Sequence, residues 1–399
     1  MDPIWLLLLL PLAAAGGWLM SAHDKSAVSK SGGLPEAYFK GLSFLLNEQP
    51  DKALQVFLEV VEVDKETVEM HMALGNLFRR RGEVERATRI HQNLVARSDI
   101  DDSLRELALF ELAQDYFKAG LFDRAENLFQ ELQQVLEYKG QAGRFLLQIY
   151  DQEKEWQKAI YVAKQLDRFV EQNFAQTIAH YYCELAEKAI TEGNIQDAEK
   201  HLKSAFHHDA RCIRAVIQSG RLAAMHGNHT NAIAIWRGLA YWAPQAMGEV
   251  VGHVSSSYAV LNDESSFKKF LESALEKNAD PRIIAMLVEL TRKNNGKEAG
   301  QALMLNLVRK HPSLESMYQL MNNHEQDVTP SRRDKDFSLL ADLLTEVVET
   351  GRNYHCRQCG FQSNSLHWQC PGCKGWGTVQ RQSGNKLTLP PPPQPLSVG

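Results

Sequence analysis

Alanine recurs at Ala53 and Ala87, at Ala125 and Ala159, and at Ala198 and Ala232, each time about 34 residues apart. Other positions keep the same phase. Gly41, Phe44, Ala53 and Phe57 answer to Gly75, Phe78, Ala87 and His91. Ala113, Tyr116, Ala125 and Phe129 answer to Leu147, Tyr150, Ala159 and Ala163, and Ala186, Ala189, Ala198 and Leu202 to Gly220, Ala223, Ala232 and Trp236. One period governing small, aromatic and breaker positions predicts a stack of similar units, each unable to bury its apolar face alone. Breakers such as Glu48-Gln49-Pro50-Asp51, Arg81-Gly82-Glu83 and Glu192-Gly193-Asn194 split the units into two antiparallel helices. Small residues allow those helices to cross closely, and bulky ones fill the wedges between units. Weaker units follow around Tyr258, Phe267 and Leu271, then around Leu287, Leu290, Ala299 and Leu303.

This pattern resembles the tetratricopeptide-repeat family over most of the chain. The resemblance implies a right-handed superhelix whose concave face binds a peptide or protein, without catalysis. In that family the first helix of each unit lines the face, which makes Asn76, Arg79, Arg80, Arg144, Gln148, Arg214 and Arg221 the partner-binding candidates. A partly basic groove of this kind suits an acidic or polar segment. A solvated polar helix face accounts for the same residues equally well.

Four of the six cysteines are packed between Cys356 and Cys373. They form two CxxC pairs, Cys356/Cys359 and Cys370/Cys373, which fit four thiolates around one ion at ~2.3 Å. Tight turns at Gly360 and Gly372 are expected to aim backbone N–H groups at the sulfurs. Tyr354, Phe361, Trp368 and Trp376 are expected to cover the site, with His355 and His367 outside the ligand set. A segment this short has too little core to fold alone, so one metal ion, zinc or iron, would supply much of its folding free energy. Thiolates suit either metal. Two disulfides are the rival reading, and they do not persist in a reducing cytosol. Cys183 and Cys212 read as isolated, buried small apolar residues. The CxxCG and CPxC segments resemble rubredoxin-type knuckles and zinc ribbons. The spacing between the pairs is much shorter than in an electron-carrying rubredoxin, which favours a docking module over redox function.

At the other end, Ile4 to Met20 carries no charge, and roughly 17 residues make a helix of about 26 Å. That is the short end of what spans a hydrocarbon core of ~30 Å. Trp5 and Trp18 lie near its ends, where amphipathic rings favour the headgroup level. Ala13-Ala14-Ala15 keeps a cleaved signal peptide open, although Met1-Asp2-Pro3 lacks the basic residues such a leader needs. Lys25 and Lys30 follow the apolar run, so the positive-inside bias puts the bulk of the chain in the cytoplasm.

The domain reading is therefore a transmembrane anchor at 1–20, a linker at 21–33 and a repeat array of about eight units at 34–313. Connecting helices follow at 314–350, including an amphipathic Asp336 to Glu349 expected to pack the metal module onto the repeats. The four-cysteine module takes 351–381 and a Pro-rich disordered tail 382–399. The fold class is all-α, a repeat superhelix with an N-terminal membrane helix and a small rubredoxin-like or zinc-ribbon domain.

A hydrophobic share of 44% and a charged share of 23% exclude a disordered chain, and a net charge of −5 gives no electrostatic case for nucleic acid. No nucleophile motif, phosphate-binding Gly-rich loop or HExxH occurs, so no enzyme is expected. The order of parts, with CxxCGF…HWxCPxCxxW at the end, is similar to the lipopolysaccharide assembly protein B family of Gram-negative bacteria. That resemblance implies a regulator at the cytoplasmic face of the inner membrane, with the four cysteines as metal ligands. It further implies three partners: a membrane AAA+ metalloprotease, the UDP-3-O-acyl-N-acetylglucosamine deacetylase that this protease degrades, and an inner-membrane lipopolysaccharide sensor. Electron transfer and a general scaffold for membrane complexes are the alternatives, and homo-oligomerisation stays open.

Overall fold

The computed structural model describes residues 36–47, 49–58, 65–169, 173–325, 345 and 353–382. The apolar leader, the linker, all of Asp336 to Glu349 except Thr345, and the Pro-rich tail beyond Gln382 lie outside them. Among the described residues, no helix is long and apolar enough to cross a membrane.

Helices follow one another in antiparallel pairs: α1 (Glu36–Leu46) with α2 (Pro50–Leu58), α3 (Lys65–Arg80) with α4 (Val84–Val95), and α5 (Asp102–Lys118) with α6 (Phe122–Leu132). Next come α7 (Lys139–Glu153) with α8 (Trp156–Phe169), α9 (Ala175–Thr191) with α10 (Ile195–His208), and α11 (Ile213–Met225) with α12 (His229–Trp242). The weaker sequence units form the pairs α13 (Met247–Leu261) with α14 (Glu264–Lys277) and α15 (Pro281–Asn295) with α16 (Lys297–Lys310), and α17 (Leu314–Glu325) follows. The chain divides within α7 into two compact units, residues 1–145 and 146–399.

The recurring alanines sit where helices touch. Ala53, Ala87, Ala125, Ala159, Ala198 and Ala232 are all completely buried. Size is matched across each crossing. A Cβ at Gly75 would lie 2.3 Å from the His91 ring, and one at Gly220 would lie 2.2 Å from that of Trp236. At these two crossings the ring on the second helix requires a glycine on the first. The turns within pairs use left-handed residues, Gly82, Gly120, Gly193 and Gly227, with Lys154 and Asn262 in the same role elsewhere. Side-chain caps start several helices: Asn194 accepts from Asp197 N at 3.3 Å, Asn228 from Asn231 N at 3.2 Å and Asp263 from Ser266 N at 3.0 Å.

Within the first unit, Phe110, Phe129 and Phe145 cluster, with Phe129 stacked on Phe145 at 4.7 Å. Asp115 is fully buried there and is balanced by Arg79 at 2.8 Å and by the ring of the equally buried His91. A buried carboxylate needs such partners.

The second unit ends in a three-stranded antiparallel sheet of order β2-β1-β3, formed by β1 (Tyr354–Cys356), β2 (Gln362–Ser363) and β3 (Val379–Arg381). Tyr354 pairs with Ser363 on one side and Arg381 on the other. Its own core is only Tyr354, Cys356, Cys370 and Val379, with Phe361, Leu366 and Cys373 packed alongside.

Candidate metal centre and its seat on the repeats

The Sγ atoms of Cys356, Cys359, Cys370 and Cys373 all lie within 4.8 Å of one another. Two of the separations are 3.6 Å, Cys356 to Cys373 and Cys359 to Cys370. Four thiolates at ~2.3 Å from a tetrahedral ion stand about 3.8 Å apart, so the sulfurs fit one closed four-coordinate site. Gln358 N donates to Cys356 Sγ at 3.4 Å, and Thr378 Oγ1 lies 3.3 Å from the same sulfur. Desolvation opposes the charge, yet Thr378 and nearby backbone N–H groups bring the Cys356 thiol down to about 6. Desolvation pushes Cys373 up to about 12, and a shared cation would offset that penalty.

Gly360 has φ +75° immediately after Cys359, as the first knuckle requires. In the second knuckle the equivalent residue is Lys374, at φ +60°, and not Gly372 as the sequence suggests. A Cβ at Gly372 would meet Cys359 Sγ at 3.4 Å and Phe361 at 3.5 Å, ordinary packing distances.

The aromatic residues divide their work. Phe361 packs against the module's core, Tyr354 belongs to that core and extends its hydroxyl to the repeats, and Trp368 and Trp376 turn toward the repeat helices. Trp376, 7% exposed, lies 5.4 Å from the His180 ring in a stack and meets Tyr181 and Trp156 edge-on at 5.7 and 5.9 Å. Trp368 packs beside His180 at 6.0 Å and under the Arg214 guanidinium at 5.9 Å. Gly377, at φ +64°, brings the loop so close that a Cβ would fall 2.4 Å from Gln176 Nε2.

Polar contacts frame this apolar seat. Gln369 Nε2 donates to Asp151 Oδ2 at 2.6 Å, and Arg381 to Glu315 at 2.6 Å. Tyr354 Oη donates to Glu249 at 2.8 Å, and the same carboxylate oxygen accepts from Arg282 at 2.9 Å. Desolvation raises Asp151 to about 6, and it lowers His180 to about 3, so that ring packs as a neutral imidazole. His180 Nδ1 is buried without a hydrogen-bond partner, whereas Tyr181 and Trp376 stand close enough to the Asp151 carboxylate to favour its charge. The module's own side chains seat it.

The partner-binding candidates separate into two groups. Arg80, Arg144 and Gln148 are exposed. Arg79 is bound to Asp115, Asn76 and both the backbone and the carboxylate of Glu111. Arg214, over the Trp368 ring, pairs with Glu184 at 2.7 Å, and Arg221 with Glu187 at 3.3 Å. Carboxylates from first helices thus pair with Arg79, Arg214 and Arg221, and Arg79 also donates to Asn76, so these four sit within polar clusters of the repeats themselves. Cys183 and Cys212 are not isolated either. Both are buried, with sulfurs 3.9 Å apart as free thiols.

The sequence did not single out Asp151, Trp156, Gln176, His180, Tyr181, Glu249, Arg282 or Glu315. One signal was available: two tryptophans in a segment with almost no core need an apolar surface elsewhere.

Helix pairs of the tetratricopeptide type, with a four-cysteine rubredoxin-type module packed within the second unit, define a repeat protein with a C-terminal domain of metal-binding type. Family profiles agree on both parts, a tetratricopeptide repeat at residues 40–103 and a rubredoxin metal binding domain at 354–381. Lipopolysaccharide assembly protein B of Escherichia coli K12 is 34% identical over 377 residues, covering 94% of this chain and 97% of its own. The Haemophilus influenzae protein of that name is 32% identical over 392 residues, covering 96% and 98%. The chain belongs to the lipopolysaccharide assembly protein B family. Similar solved structures include the MamA protein, 18% identical with a TM-score of 0.30 over 54% of this chain and 93% of that one. A tetratricopeptide repeat protein from Parabacteroides merdae is 12% identical with a TM-score of 0.30, covering 70% and 98%.

Proposed function

We propose that this protein is a membrane-tethered, non-enzymatic adaptor in the control of lipopolysaccharide assembly. The observation that carries the reading is the likeness over nearly the whole chain to two proteins named for that process. On this reading the adaptor brings the UDP-3-O-acyl-N-acetylglucosamine deacetylase to a membrane AAA+ metalloprotease and answers to an inner-membrane lipopolysaccharide sensor. The apolar leader confines it to the inner membrane with its bulk on the cytoplasmic side, raising its effective concentration near a membrane protease. Cys356, Cys359, Cys370 and Cys373 would hold one ion, zinc or iron, whose chemistry here is to cross-link two knuckles. Asn76, Arg79, Arg80, Arg144, Gln148, Arg214 and Arg221 are the candidates for partner contact, with Arg80, Arg144 and Gln148 the exposed ones.

Deleting Met1 to Met20 tests the recruitment step. A folded protein that no longer lowers deacetylase levels is the expected result. Deacetylase turnover equal to that with the full chain would contradict it. A second reading, electron transfer, draws support from the exposure of Cys359 at the module's surface. Iron content with a reversible change in visible absorption would favour it over the adaptor.

A further inference from the structure

A cleft between α12 and α14, the second helices of neighbouring pairs, has chemistry that the adaptor reading does not use. Its floor is apolar and buried, made by Ala240, Phe270 and Ala274. Around it stand Arg237, Lys269 and Lys277, with the hydroxyl of Ser273, and no carboxylate lines it. None of the three cations forms an ion pair among the described residues. Asp263 is near enough to feel Lys269, but it caps α14, accepting at Oδ1 from Ser266 N at 3.0 Å and Ser265 Oγ at 3.1 Å, and does not line the cleft.

Two of the cations are positioned by neutral groups. Arg237 Nη2 donates to Tyr258 Oη at 2.9 Å, which fixes the guanidinium without cancelling its charge. Lys277 Nζ stands 3.8 Å from the ring centroid of Tyr241, a ring that is 77% exposed. The aromatic face orders the ammonium and again leaves the charge available. Three cations gathered around one opening repel each other, and nothing in the repeat demands that arrangement. The equivalent groove one pair earlier, between α10 and α12, shows the contrast. There Lys203 shares the lining with Glu199 and Asn231, and Ile235 stands where α14 has Lys269, at the repeat spacing of about 34.

A guanidinium, two ammonium groups and a hydroxyl around a small apolar-floored opening match a group with two negative charges and several acceptor oxygens. A carboxylate brings a single charge and two oxygens, too few for the set. We propose that the Arg237–Lys269–Lys277 cleft binds a phosphate monoester, carried either by a soluble metabolite or by a lipid headgroup.

The test uses the full-length, metal-loaded protein in an uncharged detergent, titrated calorimetrically with inorganic phosphate, glycerol 3-phosphate and dioctanoyl phosphatidic acid. Binding that weakens as salt is raised, and falls by about tenfold or more in R237Q/K269Q/K277Q, is the expected result. Ser273→Glu, at an exposed position, places a carboxylate in the cleft and should weaken binding in the same way, with melting curves unchanged. Similar affinities for glycerol 3-phosphate and the lipid would assign a soluble ligand. About tenfold preference for phosphatidic acid would assign a headgroup. The proposal fails if no phosphate probe binds at millimolar concentration, or if both variants bind as the parent does. It also fails if a glutamate-rich peptide occupies the cations while the phosphate probes do not.

Discussion

At Gly220 and Gly238 the same substitution should have opposite effects. An alanine at 220 drives its Cβ to 2.2 Å from the Trp236 indole, inside a contact that is already closed. Overpacking of this kind costs about 1–3 kcal/mol. Around Gly238 nothing lies within 4 Å of the added carbon, so Gly238→Ala should stabilise α12 by roughly 0.5–1 kcal/mol. Denaturant melts of the two variants check both signs. Asp151 gives a pH prediction. Its folded-state pKa, about 6 against an ordinary 3.8, means the folded chain binds more protons between these values. Its contribution therefore falls as pH rises from about 4 to 6. Asp151→Asn should keep the acceptor for Gln369 and remove that slope, so wild type should lose ground to the variant as the melts move from acid to neutral pH. The small residues of the repeat were legible because their role is set by neighbours at a fixed spacing. Asp151 was not, because its environment depends on Gln369, 218 residues away.

Helix pairs and knuckles behave differently as elements. The pairs follow from a local rule, a close crossing and a turn, which the sequence repeats often enough to be read. The left-handed residue of the second knuckle was misplaced at Gly372 because a glycine attracts that role. The knuckle needs it one residue past the second cysteine, at Lys374, whatever residue stands there. Lys374→Gly should relieve about 1–2 kcal/mol of backbone strain, seen as slower metal loss to a chelator. The seat on α8 and α9 is where aromatic packing concentrates. Trp376→Ala should cost about 3–5 kcal/mol of the module's attachment, measured as a lower denaturation midpoint for the second unit. A loss below about 1 kcal/mol would show that the polar frame holds the module unaided.

For the whole molecule, the module's own core is too small to survive without its staple. Chelation should release one metal ion per chain and shift tryptophan emission to the red as Trp368 and Trp376 meet water, while far-ultraviolet dichroism keeps most of its helix signal. Emission unchanged after complete metal loss would mean that the fold of residues 353–382 does not depend on an ion. The sequence announced the staple by cysteine spacing and the repeats by period. It pointed to the two meeting through Asp336 to Glu349 but could not say where, since no local pattern encodes a surface shared by Trp156, Tyr181 and Trp376. That meeting has a consequence for synthesis. A ribosome completes α7 to α9 long before it reaches Trp376. Until the last cysteine pair emerges, a growing or prematurely terminated chain would show Trp156, His180 and Tyr181 to any chaperone or protease nearby, a built-in mark of an unfinished copy.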